Sequence, residues 1–183
     1  MESLESKLLV AVPQLPDTNF YQTVVLMLQH DEEGAAGLVL NRPSHVLLAD
    51  VWRDMKGEEI PTHQSLLFGG PVDGPMMAIH QDAQHADTCI GETLFLATQK
   101  SSIEALVESG STPAKYFTGY AGWGAGQLEE ELDYGGWFVT PSNDDYIFGI
   151  HEDLWKTVTQ DIGERILMSS LTGQDVPIDP SLN

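Results

Sequence analysis

Gly119-Tyr-Ala-Gly-Trp-Gly-Ala-Gly-Gln-Leu-Glu-Glu-Glu-Leu132 constrains the fold more than any other stretch of this 183-residue chain. Four glycines interleave with Tyr120 and Trp123, and a carboxylate-rich helical start follows. Without a Cβ, glycine admits positive φ and lets other groups come close to the main chain. Large rings beside it can lie flat on that bare backbone. The block therefore predicts a tight turn packed under Tyr120, Trp123 and Trp137, leading into a short helix over 127–132.

The rest of the chain alternates short apolar runs with turn residues. Residues 8–12 read as a buried strand stopped by Pro13. Residues 23–30 and 35–40 read as two strands joined through Asp31-Glu-Glu-Gly34, a hairpin ended by Asn41-Arg42-Pro43. Leu47, Leu48, Val51, Trp52 and Met55 follow helical spacing up to Gly57. Further strands are predicted at 66–68, 76–80, 94–97, 115–118, 137–140 and 146–150, the last two flanking a turn at 141–145. The polar stretch 81–92 reads as a loop. Ser101-x-x-Glu104 has the form of a capping box opening a helix that Gly110 closes. A last helix places Leu154, Val158 and Ile162 on one face before Gly163. This pattern predicts an α+β fold: a single domain over residues 1–171, with a mostly antiparallel, curled or barrel-like sheet and peripheral helices. A poorly packed tail is expected over 172–183.

Apolar residues make up 42% of the chain, enough to bury a core. Against 28 acidic side chains stand 8 Lys and Arg, a formal net charge of -20. Such a field repels phosphate backbones and anionic lipid, so neither a nucleic-acid nor a membrane partner is expected. Cys89 is the only cysteine, which rules out an intramolecular disulfide and suits a reducing compartment. With no signal-like segment at the start and no apolar run long enough to span a bilayer, a cytoplasmic location is expected.

Several blocks together resemble the bacterial YqgE/AlgH family: Leu9-Val-Ala-Val-Pro13 with Asp17 and Phe20, His30-Asp31, Gly37-Leu-Val-Leu-Asn-Arg-Pro43, Gly69-Gly-Pro-Val72, His80, and the stretch from Gly119 to Glu129 with Glu131 and Trp137. They extend over roughly Leu8 to Gly163. The resemblance implies a compact α+β fold around a largely antiparallel, barrel-like sheet. It implies no settled molecular activity; some members carry the label of transcriptional regulator through an alginate-regulation phenotype. After Val72 the chain departs from the family's commoner pattern with Gly74-Pro75-Met76-Met77, and the 81–92 loop is its own.

No complete catalytic constellation is legible. Gly122-x-Gly124-x-Gly126 offers backbone N–H groups ahead of a helix, where an anion can sit. Its spacing is not that of a dinucleotide fingerprint, no Lys-Ser/Thr pair follows, and three glutamates crowd the same helix start. Glu129 and Glu131, two residues apart, are separated onto different sides if that segment is helical. Arg42 stands between a strand and a proline, where its guanidinium could clamp a ligand carboxylate or phosphate, or pair internally with Glu129 or Asp17, the favoured reading. His80-x-Asp82-x-x-His85-x-Asp87 has metal-ligand residue types without a recognised spacing. No metal or cofactor is expected.

The expectation is a non-enzymatic regulatory or interaction domain that binds a protein or small molecule of unknown identity. Its surface would comprise the loops holding Asn41, Arg42 and Pro43, Gly69, Gly70 and Val72, and Tyr120, Trp123, Gly124, Gln127 and Glu129. The alternative is a small hydrolase-like enzyme with Arg42 as substrate anchor and Glu129 or His30 as base. That requires those groups to converge in one cleft.

Overall fold

The computed structural model describes residues 3–15, 17–110 and 113–172. Of the tail expected to be poorly packed, all beyond Thr172 lies outside those residues. Eleven strands and five α-helices occur among the described residues.

One sheet has five strands: β1 (Lys7–Ala11), β2 (Val24–Asp31), β3 (Gly34–Val39), β10 (Ala121–Gly124) and β11 (Trp137–Pro141), in the order β10-β3-β2-β1-β11. All its neighbours are antiparallel. Consecutive residues on β1 and β2 point to opposite faces. Leu8, Val10, Val24 and Leu26 join one core cluster; Leu9, Ala11, Val25 and Met27 join another. Both faces are covered, which is why these strands read as unbroken apolar runs. Each fully buried leucine here contributes about 1.5–3 kcal/mol.

The second sheet has six: β4 (Pro43–Leu47), β5 (Ser65–Phe68), β6 (Met77–His80), β7 (Thr88–Ile90), β8 (Leu94–Ala97) and β9 (Ala114–Thr118), in the order β4-β5-β9-β6-β8-β7. Only β5 and β9 run parallel. The main core cluster joins Leu8, Leu26 and Leu38 of the first sheet to Met77, Ile79 and Phe117 of the second. The sheet expected to curl is thus two sheets packed face to face, which do not close into a barrel. Helices α1 (Leu48–Lys56) and α2 (Lys100–Ser109) cover the far side of the second sheet through Leu48, Ile103 and Leu106. On the far side of the first sheet lies α3 (Gln127–Asp133), through Leu128. Two more, α4 (Asp144–Phe148) and α5 (Leu154–Thr172), pack on the main core.

Four local expectations are corrected. Tyr146–Ile150 does not form a strand: Asn143 accepts the Tyr146 N–H at 2.8 Å, which caps α4 and turns Tyr146 and Ile147 into the core. Gly163 does not end the last helix. Arg165 bonds to Thr140 Oγ1 at 2.6 Å and to the Asp161 carbonyl, anchoring α5 beyond the glycine. Ser101 and Glu104 form no capping box. Helix α2 starts at Lys100, and the Asp87 carboxylate accepts from the Thr98 and Gln99 N–H groups and from Ser102 Oγ, each at 2.7 Å. Glu104 instead holds Lys56 at 2.7 Å. The 81–92 stretch is more than a loop, since it contains a 3-10 turn at Ala83–His85 and strand β7.

Candidate functional site

The 41–43 and 69–72 loops meet the Gly119–Ala121 end of the glycine-rich block at the junction between the sheets, and the glycines explain how. Gly69 and Gly70 are buried. A Cβ on Gly70, whose φ is +154°, would lie 2.2 Å from the Tyr120 carbonyl carbon and 2.3 Å from the Ala121 nitrogen. One on Gly119, at φ +70°, would lie 2.8 Å from the Gly70 oxygen. Two stretches of main chain press together where no side chain fits. Hydrogen bonds complete the joint: Gly69 N–H to Thr118 O at 2.9 Å, Val39 N–H to Gly69 O at 2.8 Å, and a reciprocal pair between Val72 and Tyr120 at 3.0 Å each way. The half-buried Tyr120 ring packs over Gly74 and Gly122.

Asn41 and Arg42 secure the turn that precedes β2. Asn41 donates through Nδ2 to the Gln22 carbonyl at 2.8 Å and accepts the Val24 N–H at 3.0 Å. Its side chain thereby supplies the hydrogen bonds of a missing strand residue beside Gln22, whose φ is +53°. Arg42 donates through Nη2 to the Tyr21 carbonyl at 2.5 Å. The internal carboxylate partner expected for it, Glu129 or Asp17, is not the one it takes. A carbonyl of the neighbouring turn lies closer along the chain.

Past Gly119 the glycine-rich block continues as strand β10, so the predicted turn is an extended segment. Trp123 points into the core and Gly122 outward. Helix α3 then does separate Glu129 from Glu131. Glu129 bonds to His30 Nε2 at 2.8 Å. The Leu4 N–H donates to His30 Nδ1 at 3.1 Å, so that nitrogen is the acceptor and Nε2 carries the hydrogen given to Glu129. Both ring nitrogens are engaged. Burial raises the Glu129 carboxyl's pKa, but its own backbone N–H and the His30 bond outweigh burial and hold it below the ordinary value.

Glu131 does what sequence reasoning overlooked. Its Oε2 accepts from Trp123 Nε1 at 2.9 Å and Trp137 Nε1 at 2.8 Å; its Oε1 accepts from Gln127 Nε2 at 2.9 Å. Gln127 in turn accepts the Gly124 N–H at 3.1 Å. Phe20 stacks on Trp123 with centroids 5.7 Å apart and meets Trp137 edge-on at 5.4 Å. The block thus folds around one carboxylate saturated by two indoles and an amide. The four-residue step from Gln127 to Glu131 was the available signal, because such pairs share a helix face.

Two groupings weighed as alternatives do not form among the described residues. Ala35 pairs with His30 near one end of β3, while Arg42 lies beyond the other end, and the stretch from Ala35 to Val39 alone spans roughly 13 Å at about 3.3 Å per residue. Arg42 therefore does not share a cleft with Glu129 or His30. A groove of about 530 Å³ bordered by Leu94, Asn143 and Asp145 is lined by none of the candidate residues. In the 80–87 stretch, His85 pairs with Asp82 at 2.7 Å and Asp87 caps α2. His80 is fully buried, with Nδ1 accepting the Asp82 N–H at 3.2 Å and Nε2 unpartnered among the described residues. Burial lowers its pKa from 6.5. Among the described residues no three His, Cys, Asp or Glu side chains assemble into a metal-binding group. None of the described helices is long and apolar enough to cross a membrane.

A two-sheet α+β domain whose halves are joined by interlocked glycine loops, with a Trp–Glu–Trp cluster beneath, is the class of protein this geometry defines. The chain belongs to the AlgH-like family, whose model matches residues 8–167. UPF0301 proteins of Xanthomonas axonopodis pv. citri and Xanthomonas euvesicatoria pv. vesicatoria are each 39% identical over 168 residues, 87% of this chain and 89% of theirs. The solution structure of the AlgH protein from Pseudomonas aeruginosa superposes with a TM-score of 0.72 at 30% identity, covering 95% of both chains. The crystal structure of protein DIP2367 from Corynebacterium diphtheriae superposes at 0.70 with 25% identity and 88% of both chains.

Proposed function

We propose that this chain is a non-catalytic interaction domain of the cytosol that engages a partner protein through the outward side of the 41–43, 69–72 and 119–129 loops. One observation carries the reading. The polar side chains of these loops are spent on partners within the chain: Asn41 on Gln22 and Val24, Gln127 on Gly124 and Glu131, Glu129 on His30. Exposed apolar groups lie in or next to these loops along the chain or through hydrogen bonds. Phe68 is 47% exposed and Val72 37%, and Tyr21, whose carbonyl Arg42 holds, is 48% exposed. Exposed large apolar residues beside rigid loops are a common mark of a protein contact. A regulatory role would then be exerted through a bound protein, since a net charge of -20 opposes direct DNA binding. The hydrolase-like alternative needs Arg42 beside Glu129 or His30, and the length of β3 stands between them.

The test is affinity capture from the native cytosol with wild-type, Phe68→Ser and Arg42→Ala baits, each checked for an unchanged melting transition. Specific partners should be lost with both variants. An identical partner set on all three baits would reject this surface.

A further inference from the structure

We propose that the segment from His80 to Asp87 is an acid-sensitive clasp: a proton on His80 opens it and frees the first turn of α2, while the rest of the domain stays folded. His80 ends β6 and lies on the same side of the sheet as Ala78, toward the layer covered by α1 and α2. It is fully buried, with its ring 5.9 Å from that of Phe95. Nδ1 accepts the Asp82 N–H at 3.2 Å, so the one hydrogen of the neutral ring sits on Nε2, which has no partner among the described residues. Asp82 opens the 3-10 turn, its two oxygens accepting from the Gln84 N–H at 2.9 Å and from His85 Nδ1 at 2.7 Å. Asp87 closes the segment through its three bonds to the start of α2.

Protonation breaks this arrangement at its first link. Nδ1 becomes a donor facing the Asp82 N–H, and the ring becomes a buried charge with no acceptor at either nitrogen, a costly state unless the charge is paired. Asp82 and Asp87 favour the charged ring, and His85 opposes it. From β9, Lys115 pairs with Ile79 and so lies on the other face of the sheet. On α2, Lys100 and Glu104 engage each other, and Glu104 also holds Lys56. Strand β8 carries no charged residue. The counter-charges on hand are thus the two carboxylates that hold the segment shut. Every hydrogen bond His80 takes from them is lost by the turn or by the α2 cap. Strand β2, in the other sheet, pairs with β1 and β3 and serves as an internal reference.

Hydrogen exchange on the full chain, read by mass spectrometry from about pH 8 to about pH 5 and corrected for intrinsic rates, tests this. Amides of 82–87 and 98–103 should lose protection as the pH falls below 6.5, by up to about tenfold per pH unit, the limit for uptake of one proton. Amides of β2 should not change. His80→Asn offers an oxygen in place of Nδ1 and cannot titrate, so its exchange should be independent of pH. His85→Gln should keep the wild-type response, which separates the His80 proton from the His85–Asp82 pair. Protection of 82–87 that does not vary with pH overturns the inference, as does loss spread equally over β2, a response that survives in His80→Asn, or one that vanishes in His85→Gln. Should His80→Asn fail to fold, the His80 ring is titrated by NMR in the wild type: the opening must follow that ring's own titration, and a mismatch overturns the inference.

Discussion

Glu131 is the side chain whose removal the structure prices most directly. Its Oε2 is the acceptor for both indole N–H groups, and Trp123 and Trp137 are only 5% and 2% exposed. In Glu131→Ala both donors lose that acceptor inside an apolar cluster. An orphaned buried donor costs roughly 1–3 kcal/mol, so the pair costs about 2–6 kcal/mol, a large part of the ~5–15 kcal/mol that holds a typical domain folded. The lost Gln127 contact adds little, because that side is exposed. Glu131→Gln keeps one oxygen that can accept from both indoles. Its amide then faces Gln127 Nε2, donor against donor, and the charge assistance is gone, for a cost of about 1–2 kcal/mol. Urea unfolding followed by tryptophan fluorescence measures both, with the m-value expected to stay constant. Glu131→Ala within about 0.5 kcal/mol of wild type, or Glu131→Gln as costly as Glu131→Ala, would refute the claim that this carboxylate organises the cluster.

The other predictions concern positions far from Glu131. Gly70→Ala forces a Cβ to within 2.2–2.4 Å of the Tyr120–Ala121 main chain, which is backbone and not a flexible side-chain end; thermal melting should show a loss above ~3 kcal/mol or no folded protein. Gly163→Ala should stabilise α5 by about 0.5–1 kcal/mol, because nothing lies within 4 Å of the new Cβ and the helix continues past it; a lower melting temperature would count against this. His80 makes stability pH-dependent. Its folded pKa lies below 6.5, so the unfolded chain binds the proton more readily, and its contribution is complete above pH 6.5 and declines as pH falls from there toward the lowered folded value. Chemical denaturation at stepped pH should show that slope in the wild type and a weakened one in His80→Phe; equal slopes would discard it.

Legibility from sequence followed how local the cause was. Strands β1, β2 and β3 were readable because their apolar runs and the Gly34 turn lie within a few residues of one another. The capping of α4 was equally local, yet 146–150 read as a strand: Tyr, Ile and Phe suit either state, and the deciding Asn143 bond arises only when the turn closes. Capping of α2 by Asp87 joins residues about a dozen positions apart, which no local motif records. The division into two sheets was not readable at all. It depends on β9 lying between β5 and β6, a choice made by tertiary packing of Phe117 and Leu67.

At the candidate site the residue types were legible and their duties were not. Asn41, Arg42, Gly69, Gly70, Trp123, Gln127 and Glu129 read as a possible binding surface because each belongs to a loop of special geometry. The structure spends the buried parts of these loops on joining two sheets: glycines so that main chains can touch, Asn41 in place of strand hydrogen bonds, Glu129 and Glu131 as acceptors for His30 and two tryptophans. A joint of this kind has little tolerance for movement, since every atom removed leaves an unpaired polar group or a void. It therefore holds its exposed neighbours Tyr21, Phe68 and Val72 in place. Rigid presentation lowers the ordering cost of binding, so a partner is best sought at those exposed neighbours, with the buried motif residues acting through the positions they impose.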